Sequence, residues 1–296
     1  MVDIAFITVN YNTLNYAREL ASFFETLDVP FAFTFTVVDN ASADGSREFL
    51  KSRRGLHYLQ AGENSGYGRA INRAVAATES KYVCVTNTDV RLNRDALVRL
   101  WTFLEEHPDA GVCAPRITYQ DGRDQGMVFK PSLAAHYINW FAKLAARRSK
   151  LQLAHARGPL RVDGVMGAFF LLRRAAIPSP TLFDEDFFFF YEDTALAHSL
   201  KNSGVQCFVL PGVSIIHVGG QSRSASSVVL FYKSKYLYLR KFYGPFHAKC
   251  IYLLDRARIC YKFRAYSVLA RLSSSDRVRA KRRHYALAWN NTRLPL

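Results

Sequence analysis

The sequence predicts an α/β protein: a mostly parallel central sheet with helices on both faces, extended by a basic helical segment. Three observations lead there. Short apolar runs alternate with helical spacings through the first 118 residues, the signature of strand–helix–strand units. One run, Tyr82–Thr86, is apolar almost throughout, as in a strand covered on both faces. The charge is also unevenly placed. Residues 231–296 hold 16 Lys/Arg against two acids (+14), and residues 1–230 hold 24 against 22 (+2).

Each element follows in order. Ile4–Val9 reads as the first strand, Leu14–Thr26 as a helix and Phe33–Val38 as the second strand. Asp44, Gly45 and Ser46 open the next helix, with Asp44 or Ser46 as its cap. Leu56–Leu59 is a short strand, Tyr67–Ala77 a helix and Tyr82–Thr86 a strand. Arg94–Glu106 is a helix closed by His107-Pro108, and Gly111–Ile117 continues the sheet. This order implies parallel pairing through right-handed crossovers, with helices of the length found in Rossmann-like units.

Residues 119–160 break the rhythm. Asp121, Gly122, Asp124 and Gly126 make turns, and Ser132–Arg148 reads as a helix with a basic end. Arg161–Val165 and Ala168–Leu172 are strand-like, and Glu192–Lys201 is a helix ending at Asn202/Gly204. Gln206–Leu210 and Val213–Val218 read as two more strands; from Ser226 the pattern is helical, basic and aromatic. The expected organisation is a domain over 1–225, with halves 1–118 and 119–225, and an extension over 226–296.

Composition bounds the function. At 296 residues, 49% hydrophobic and 22% charged, the chain can bury a full core. No window approaches the roughly 20 apolar residues of a membrane-spanning helix. MVDIAFITVNYN has no basic leader and runs straight into a strand, so no signal peptide is expected. Five cysteines without a C-x-x-C pair point to free thiols in a reducing cytoplasm.

Candidate chemistry gathers where strands end. Asn87, Thr88 and Asp89 follow the fourth strand at its carboxyl end, where open α/β sheets bind ligands. A carboxylate and an amide there can hold a divalent cation and a ribose hydroxyl, although the same pattern also serves as a plain turn. Asp39 and Asn40 end the second strand, where they can bond a base or ribose or form an Asx turn. Asn64–Asn72, NSGYGRAIN, is a glycine-containing loop entering a helix; its amides and Arg69 can face phosphates. Asp184, Glu185, Asp186, Glu192 and Asp193 surround five aromatics, Phe187–Tyr191, which suggests a base in a partly dry cleft. An acidic helix start that favours the dipole is the plainer reading. His217, before Val218-Gly219-Gly220, can reach a metal held by Asp89 or can simply end a strand.

The ordered set VNYN, VVDNASADGS, NSGYGRAIN, TNTDV, GAFFLLRR, FDEDFFFFYED and HVGG resembles the family 2 inverting nucleotide-sugar glycosyltransferases over about residues 3–222. The likeness is to the bacterial rhamnosyltransferase-like branch that builds O-antigen and other cell-surface polysaccharides. The resemblance implies a GT-A fold in which Val9, Asn10, Tyr11, Asp39 and Asn40 line the nucleotide pocket. Asn64, Gly66, Tyr67, Arg69 and Asn72 would shape the base and ribose side, and Asn87 and Thr88 would flank the diphosphate. Asp89 would bind Mg²⁺ or Mn²⁺, with His217 completing that site, and Gly167 and Ala168 would border the donor sugar. Asp193 would be the general base, supported by Glu192. The donor would be a dTDP- or UDP-sugar and the acceptor a lipid-linked glycan at the inner face of the cytoplasmic membrane.

Two departures stand out. The family continues Glu-Asp-x-Asp with an arginine soon after, whereas here Ala195 follows Thr194, and His198, Ser199 and Leu200 occupy the arginine region. Asn87 replaces the first aspartate of the metal motif, which leaves one carboxylate and implies weak metal binding. The same departures fit an alternative, a catalytically degenerate nucleotide-sugar-binding or scaffold protein. The basic segment alternates aromatic and apolar residues with Lys/Arg, as helices on anionic membranes do; a helical cap with a solvated basic face is the plainer reading. No nucleic-acid-binding pattern accompanies it.

Overall fold

The structure is a computed structural model that describes residues 2–126, 132–137, 147, 151–177, 181–219, 225–273 and 275–291. Its strands are β1 (Val2–Asn10), β2 (Phe33–Asp39), β3 (His57–Gln60), β4 (Ser80–Thr86), β5 (Val90–Arg91), β6 (Ala110–Thr118), β7 (Leu160–Val162), β8 (Phe169–Arg173) and β9 (Gln206–His217). They form one sheet in the order β3-β2-β1-β4-β8-β6-β9-β5, with β7 paired to β9. The labelled helices are α1 (Leu14–Glu25), α2 (Ser46–Lys51), α3 (Tyr67–Ala76), α4 (Arg94–Glu106), α5 (Leu133–Tyr137), α6 (Glu192–Asn202), α7 (Ala225–Leu272) and α8 (Asp276–Asn291).

The parallel pairs β1–β2, β1–β4, β2–β3 and β6–β9 are those a strand–helix–strand order dictates. The departure is β8, which enters antiparallel between β4 and β6 and makes the sheet mixed. Its four apolar residues, Phe169–Leu172, fit a slot buried on both faces, where direction is set by the chain's route and not by residue type. β5, only two residues long, is also antiparallel, on β9.

Register shows which helix covers which face. Phe6, Cys84, Leu171 and Cys113 are in register across β1, β4, β8 and β6. Phe24 of α1 stacks at 4.9 Å on Phe6, and Cys113 Sγ lies 3.5 Å from the Leu100 carbonyl of α4, so α1 and α4 share that face. On the other face Phe170 meets Phe183 at 6.3 Å, and Phe183 meets Tyr67 of α3 at 6.0 Å. Val112, Phe170 and Leu196 of α6 line one small cavity, which puts α6 on the α3 side. Burying both sheet faces is the main stabilising term, roughly 25 cal/mol per Å² of apolar surface.

Three local readings change. The two strands expected over 206–218 are one, because β9 carries Pro211-Gly212 as a bulge: Pro115 pairs with Leu210 and Arg116 with Ser214. The cap of α2 is Gly45, at φ 87° and without a side-chain cap bond, and not the expected Asp44 or Ser46; Asp44, one residue earlier, accepts Ser46 N at 3.1 Å and reaches across to Leu14 N at 2.8 Å at the start of α1. Of the helix expected over Ser132–Arg148, Leu133–Tyr137 and residue 147 are helical, and 138–146 and 148 lie outside the described residues. The five cysteines are free, as expected.

The chain divides into two compact units, Met1–Pro131 with Trp140–Phe188 and Glu192–Gly219, and Ser132–Asn139 with Phe189–Tyr191 and Gly220–Leu296. The second unit thus begins near the expected boundary at 225/226 and adds two short segments from the acceptor half. Within it α7 breaks at Gly244, whose φ of 87° favours glycine and precedes Pro245. A buried pair, Lys235 Nζ to Asp255 Oδ2 at 2.5 Å, ties its two parts, and Tyr236 also donates to Asp255. Arg258 donates to the Tyr137 carbonyl at 2.6 Å, and the Tyr191 ring packs 5.4 Å from Tyr238.

Candidate active site

The first unit brings the carboxyl ends of β1, β2 and β4 together, with the start of α6 beside them. In register, Asn10 pairs with Asp39, and its amide donates to Asp39 Oδ1 at 2.9 Å and to Ser42 at 2.9 Å. Thr13 donates to Asn10 Oδ1 at 2.7 Å and lies 3.0 Å from the Thr88 hydroxyl, joining the first strand's end to the fourth's. Asn40 donates to Asn64 at 2.8 Å and to the Gly66 carbonyl at 3.3 Å, and accepts from Ser65 N at 3.1 Å. These side chains are buried or half-buried, so their order is set by one another before any ligand arrives. Val9 is half-buried behind them and Tyr11 is exposed at the rim.

Gly66 is fixed by sterics. Its φ is +90°, and a Cβ there would meet the Phe188 carbonyl oxygen at 2.5 Å. The next amide, Tyr67 N, donates to that same carbonyl at 2.8 Å, so this N–H is not free for a phosphate. Arg69 pairs with Glu185 at 3.3 Å. Asn72 is 5% exposed, donates to the Phe183 carbonyl at 2.7 Å and accepts Phe183 N at 2.8 Å. Its amide is occupied by main chain, which makes it a strut under the acidic loop and departs from the expected ligand role.

Tyr67 links the halves of the site. Its hydroxyl donates toward Asn87 Oδ1 at 2.9 Å and the Gly167 carbonyl at 3.3 Å. Burial, and then the charges of Glu192, Asp193 and Asp89, hold its pKa well above the usual value, so it stays a neutral donor. Asn87 N donates to the Ala168 carbonyl at 2.9 Å, which extends the β4–β8 ladder by one step.

Asp193, in the first turn of α6, accepts Gly167 N on Oδ2 at 3.0 Å and Thr194 N on Oδ1 at 2.6 Å. Burial raises its pKa, and these donors oppose the rise. Glu192 beside it is buried, and its Oε2 has no hydrogen-bond partner among the described residues. Burial and then the Asp193 charge push Glu192 up to about 8, which favours its protonated form at neutral pH. The dry lining differs from the expected one. Val112, Val165, Phe170, Leu196, Ala197 and Leu200 surround the cavity at Asp193, and Phe189–Tyr191 pack in the second unit.

Asp89 and His217 do come together. His217 Nε2 is 3.2 Å from Asp89 Oδ1, and Gly219 N donates to Asp89 Oδ2 at 3.1 Å; Gly220 lies outside the described residues. Gln125 completes this corner, and sequence reasoning missed it. Its amide nitrogen faces the His217 carbonyl at 2.5 Å and the Thr118 carbonyl at 3.4 Å, which turns Oε1 to His217 Nδ1 at 2.8 Å. Nδ1 therefore donates to Oε1, and Nε2 is directed at a carboxylate oxygen of Asp89, where a shared cation would fit. The only usable signal for Gln125 was the Asp121-Gly122 turn, which returns the chain so that Gln125 N donates to the Ile117 carbonyl at 3.1 Å.

The donor set suits a divalent ion completed by substrate. Among the described residues no group of three or more His, Cys, Asp or Glu could hold a metal. Asp89 and His217 could supply two ligands, and Mg²⁺ or Mn²⁺ bound through one or two protein groups takes the remainder from phosphates and water.

Comparison with known proteins agrees with this geometry. The family described as "Glycosyl transferase family 2" matches residues 6–177. An N-acetylglucosaminyl-diphospho-decaprenol L-rhamnosyltransferase of Mycobacterium tuberculosis (strain ATCC 25618 / H37Rv) is 25% identical over 228 residues, 69% of this chain and 73% of that protein. The mannosyltransferase PcManGT from Pyrobaculum calidifontis, solved in complex with GDP-Man and Mn²⁺, superposes with a TM-score of 0.60 at 16% identity. That match covers 97% of this chain and 85% of that one. Staphylococcus aureus TarS superposes with a TM-score of 0.56 at 17% identity, over 98% of this chain and 54% of that one. The two structures share the GT-A fold of this chain. With more than half of its length matched by the family and its rhamnosyltransferase relative aligned over most of both chains, this chain belongs to glycosyl transferase family 2.

Proposed function

We propose that this glycosyltransferase moves a sugar, L-rhamnose as in the relative's name, from a dTDP- or UDP-sugar to a hydroxyl of a lipid-linked cell-surface glycan. The transfer is a single displacement that inverts the anomeric centre. The observation that carries this reading is the Asp193 carboxyl, held by the Gly167 N–H, whose own carbonyl is tied through Tyr67 to the Asn87–Asp89 loop. Base and acceptor chemistry thus share one rigid scaffold with the diphosphate end.

Each residue has a task. Val9, Asn10, Tyr11, Asp39, Asn40 and Asn64 border the nucleoside, and Asn87, Thr88, Gly167 and Ala168 border the diphosphate and sugar. Asp89 and His217 would hold Mg²⁺ or Mn²⁺, which when bound would offset the charge that develops on the departing nucleoside diphosphate. Asp193 accepts the proton of the acceptor hydroxyl as its oxygen attacks the anomeric carbon. The bond to the diphosphate breaks with its electron pair leaving on oxygen, so no covalent enzyme intermediate is needed. Protonated Glu192 adds no second negative charge next to the base. Gly66, Tyr67, Arg69 and Asn72 act through the loops they hold.

Asp193→Asn tests this directly. Turnover should fall by about 10²–10⁴-fold while donor affinity is kept, and the wild-type product should carry the inverted anomer by NMR. A retained anomer, or undiminished turnover in the variant, removes Asp193 from the mechanism. Ala195 in place of a second acid favours one other reading, a degenerate sugar-nucleotide-binding scaffold. Donor binding without turnover on any lipid-linked glycan acceptor distinguishes it.

A further inference from the structure

The glycosyl-transfer chemistry leaves the basic second unit without a task, and its long helix carries an uncovered apolar stripe. Beyond the Gly244-Pro245 break, α7 buries Ala248, Ile251, Tyr252, Asp255 and Ile259, spaced three and four apart on one face. α8 packs nearby: the Arg256 guanidinium lies 3.7 Å over the Trp289 ring, and Tyr266 stacks on Tyr285 at 5.6 Å. The opposite face presents Phe246, Leu253, Tyr261, Val268 and Leu272, spaced seven, eight, seven and four apart. At 100° per residue these fall within a sector of about 100°. They are exposed: Phe246 72%, Tyr261 73% and Leu272 78%. The stripe runs about 39 Å at 1.5 Å per residue.

Water is an unfavourable neighbour for so long a row of large apolar groups. Exposed cations lie along it: on the same wheel Arg264 and Arg271 fall inside the sector and Lys249 borders it, whereas Lys262 sits over the Tyr285 ring of α8. No described helix is long and apolar enough to cross a membrane, so this one has the composition to lie on a surface. A nucleic-acid backbone would satisfy the cations and leave Leu253, Val268 and Leu272 with nothing to contact. A bilayer surface bearing anionic headgroups satisfies both sets, with acyl chains for the stripe and phosphates for Lys249 and for Arg264 and Arg271, whose long side chains can snorkel to the headgroups.

We propose that the Phe246–Leu272 face of α7 is a docking surface for an anionic lipid bilayer, with the helix lying in the plane of the interface. The inference rests on exposure and charge alone, and stands whether or not the donor chemistry above is right.

The test uses the full chain, without donor, against phosphatidylcholine vesicles with and without phosphatidylglycerol. We expect preferential binding to the anionic vesicles, weakened by salt as these cations are screened. Phe246→Ser/Tyr261→Ser/Leu272→Ser should reduce the partition coefficient more than tenfold with unchanged circular dichroism, since these side chains are exposed. Lys249→Gln/Arg264→Gln/Arg271→Gln should erase the anionic preference and leave a weaker, salt-independent remainder. Four results would overturn the proposal: no vesicle binding at low salt, equal binding to both vesicle types, salt-dependent nucleic-acid binding without vesicle binding, or a dimer mass that the serine substitutions abolish.

Discussion

Gly167 donates its N–H to Asp193 Oδ2 at 3.0 Å, and a Cβ on Gly167 would stand 3.1 Å from Asp193 Cβ. The base is therefore seated against a bare backbone, with no room for even a methyl group beside it. Asp193 has to give by a few tenths of an ångström if a side chain is added, and it takes the Gly167 bond with it. Gly167→Ala should lower kcat by about 10–100-fold, because small displacements of a positioned group cost that much. Donor Kd, measured by calorimetry, should change less than threefold. Unchanged kcat would mean that the seat is loose.

Glu192 predicts a pH dependence of stability. Its folded pKa, about 8, lies above the ordinary value of 4.5, so the folded state binds the proton more tightly than the unfolded one. Stability from this group is fully present below about pH 4.5 and is lost as pH rises toward 8. The loss is of order 2 kcal/mol, taken below the ideal linkage figure because Glu192 and Asp193 titrate together. Glu192→Gln keeps the neutral shape, so its Tm should decline less than wild type between pH 5 and pH 9. Parallel Tm curves for the two proteins would show that Glu192 is charged when folded.

Asn72 separates a strut from a ligand. Asn72→Ala leaves the Phe183 N–H and carbonyl without their partners in a buried place, at a cost of about 2–3 kcal/mol by urea unfolding. Donor affinity measured well below the unfolding midpoint should stay within threefold. A selective loss of affinity with stability intact would return Asn72 to the binding surface.

Gln125 acts on the cation corner through His217. Gln125→Leu frees the Nδ1 proton to move and should weaken Mn²⁺ affinity, read by electron paramagnetic resonance in the presence of nucleoside diphosphate, by about 10–100-fold. Gln125→Glu still accepts the Nδ1 proton and should recover most of that affinity. Nitrogen NMR of His217 should report the Nδ1–H tautomer in wild type and in the glutamate variant. A mixed tautomer in wild type would refute the assignment.

The sequence by itself determined which segments are strands and helices in the first half, because burial on a sheet face and packing of a helix stripe are written as periods of 2 and 3.6. β1, α1, β2, α3, β4 and α4 are legible for that reason, and so are the sites where strands end: Asn10, Asp39 and Asn87–Asp89. The family motifs were legible too, since spacing along the chain preserves them. Neither the direction of β8 nor the merging of two apolar runs into β9 was legible, because strand partners are chosen by the chain's path and a bulge can absorb Pro211-Gly212. What each polar group does follows from its neighbours in three dimensions. Asn72 and Arg69 resemble ligands in the sequence, yet their bonds go to Phe183 and Glu185. Gln125 has no signature at all and still orients His217 across 92 residues of chain. Hydrogen-bond partners and desolvation are properties of neighbours in space: the donors that oppose the rise at Asp193 come from Gly167 and Thr194, while Glu192, one residue along, is left with an unpartnered buried oxygen and a pKa pushed up to about 8.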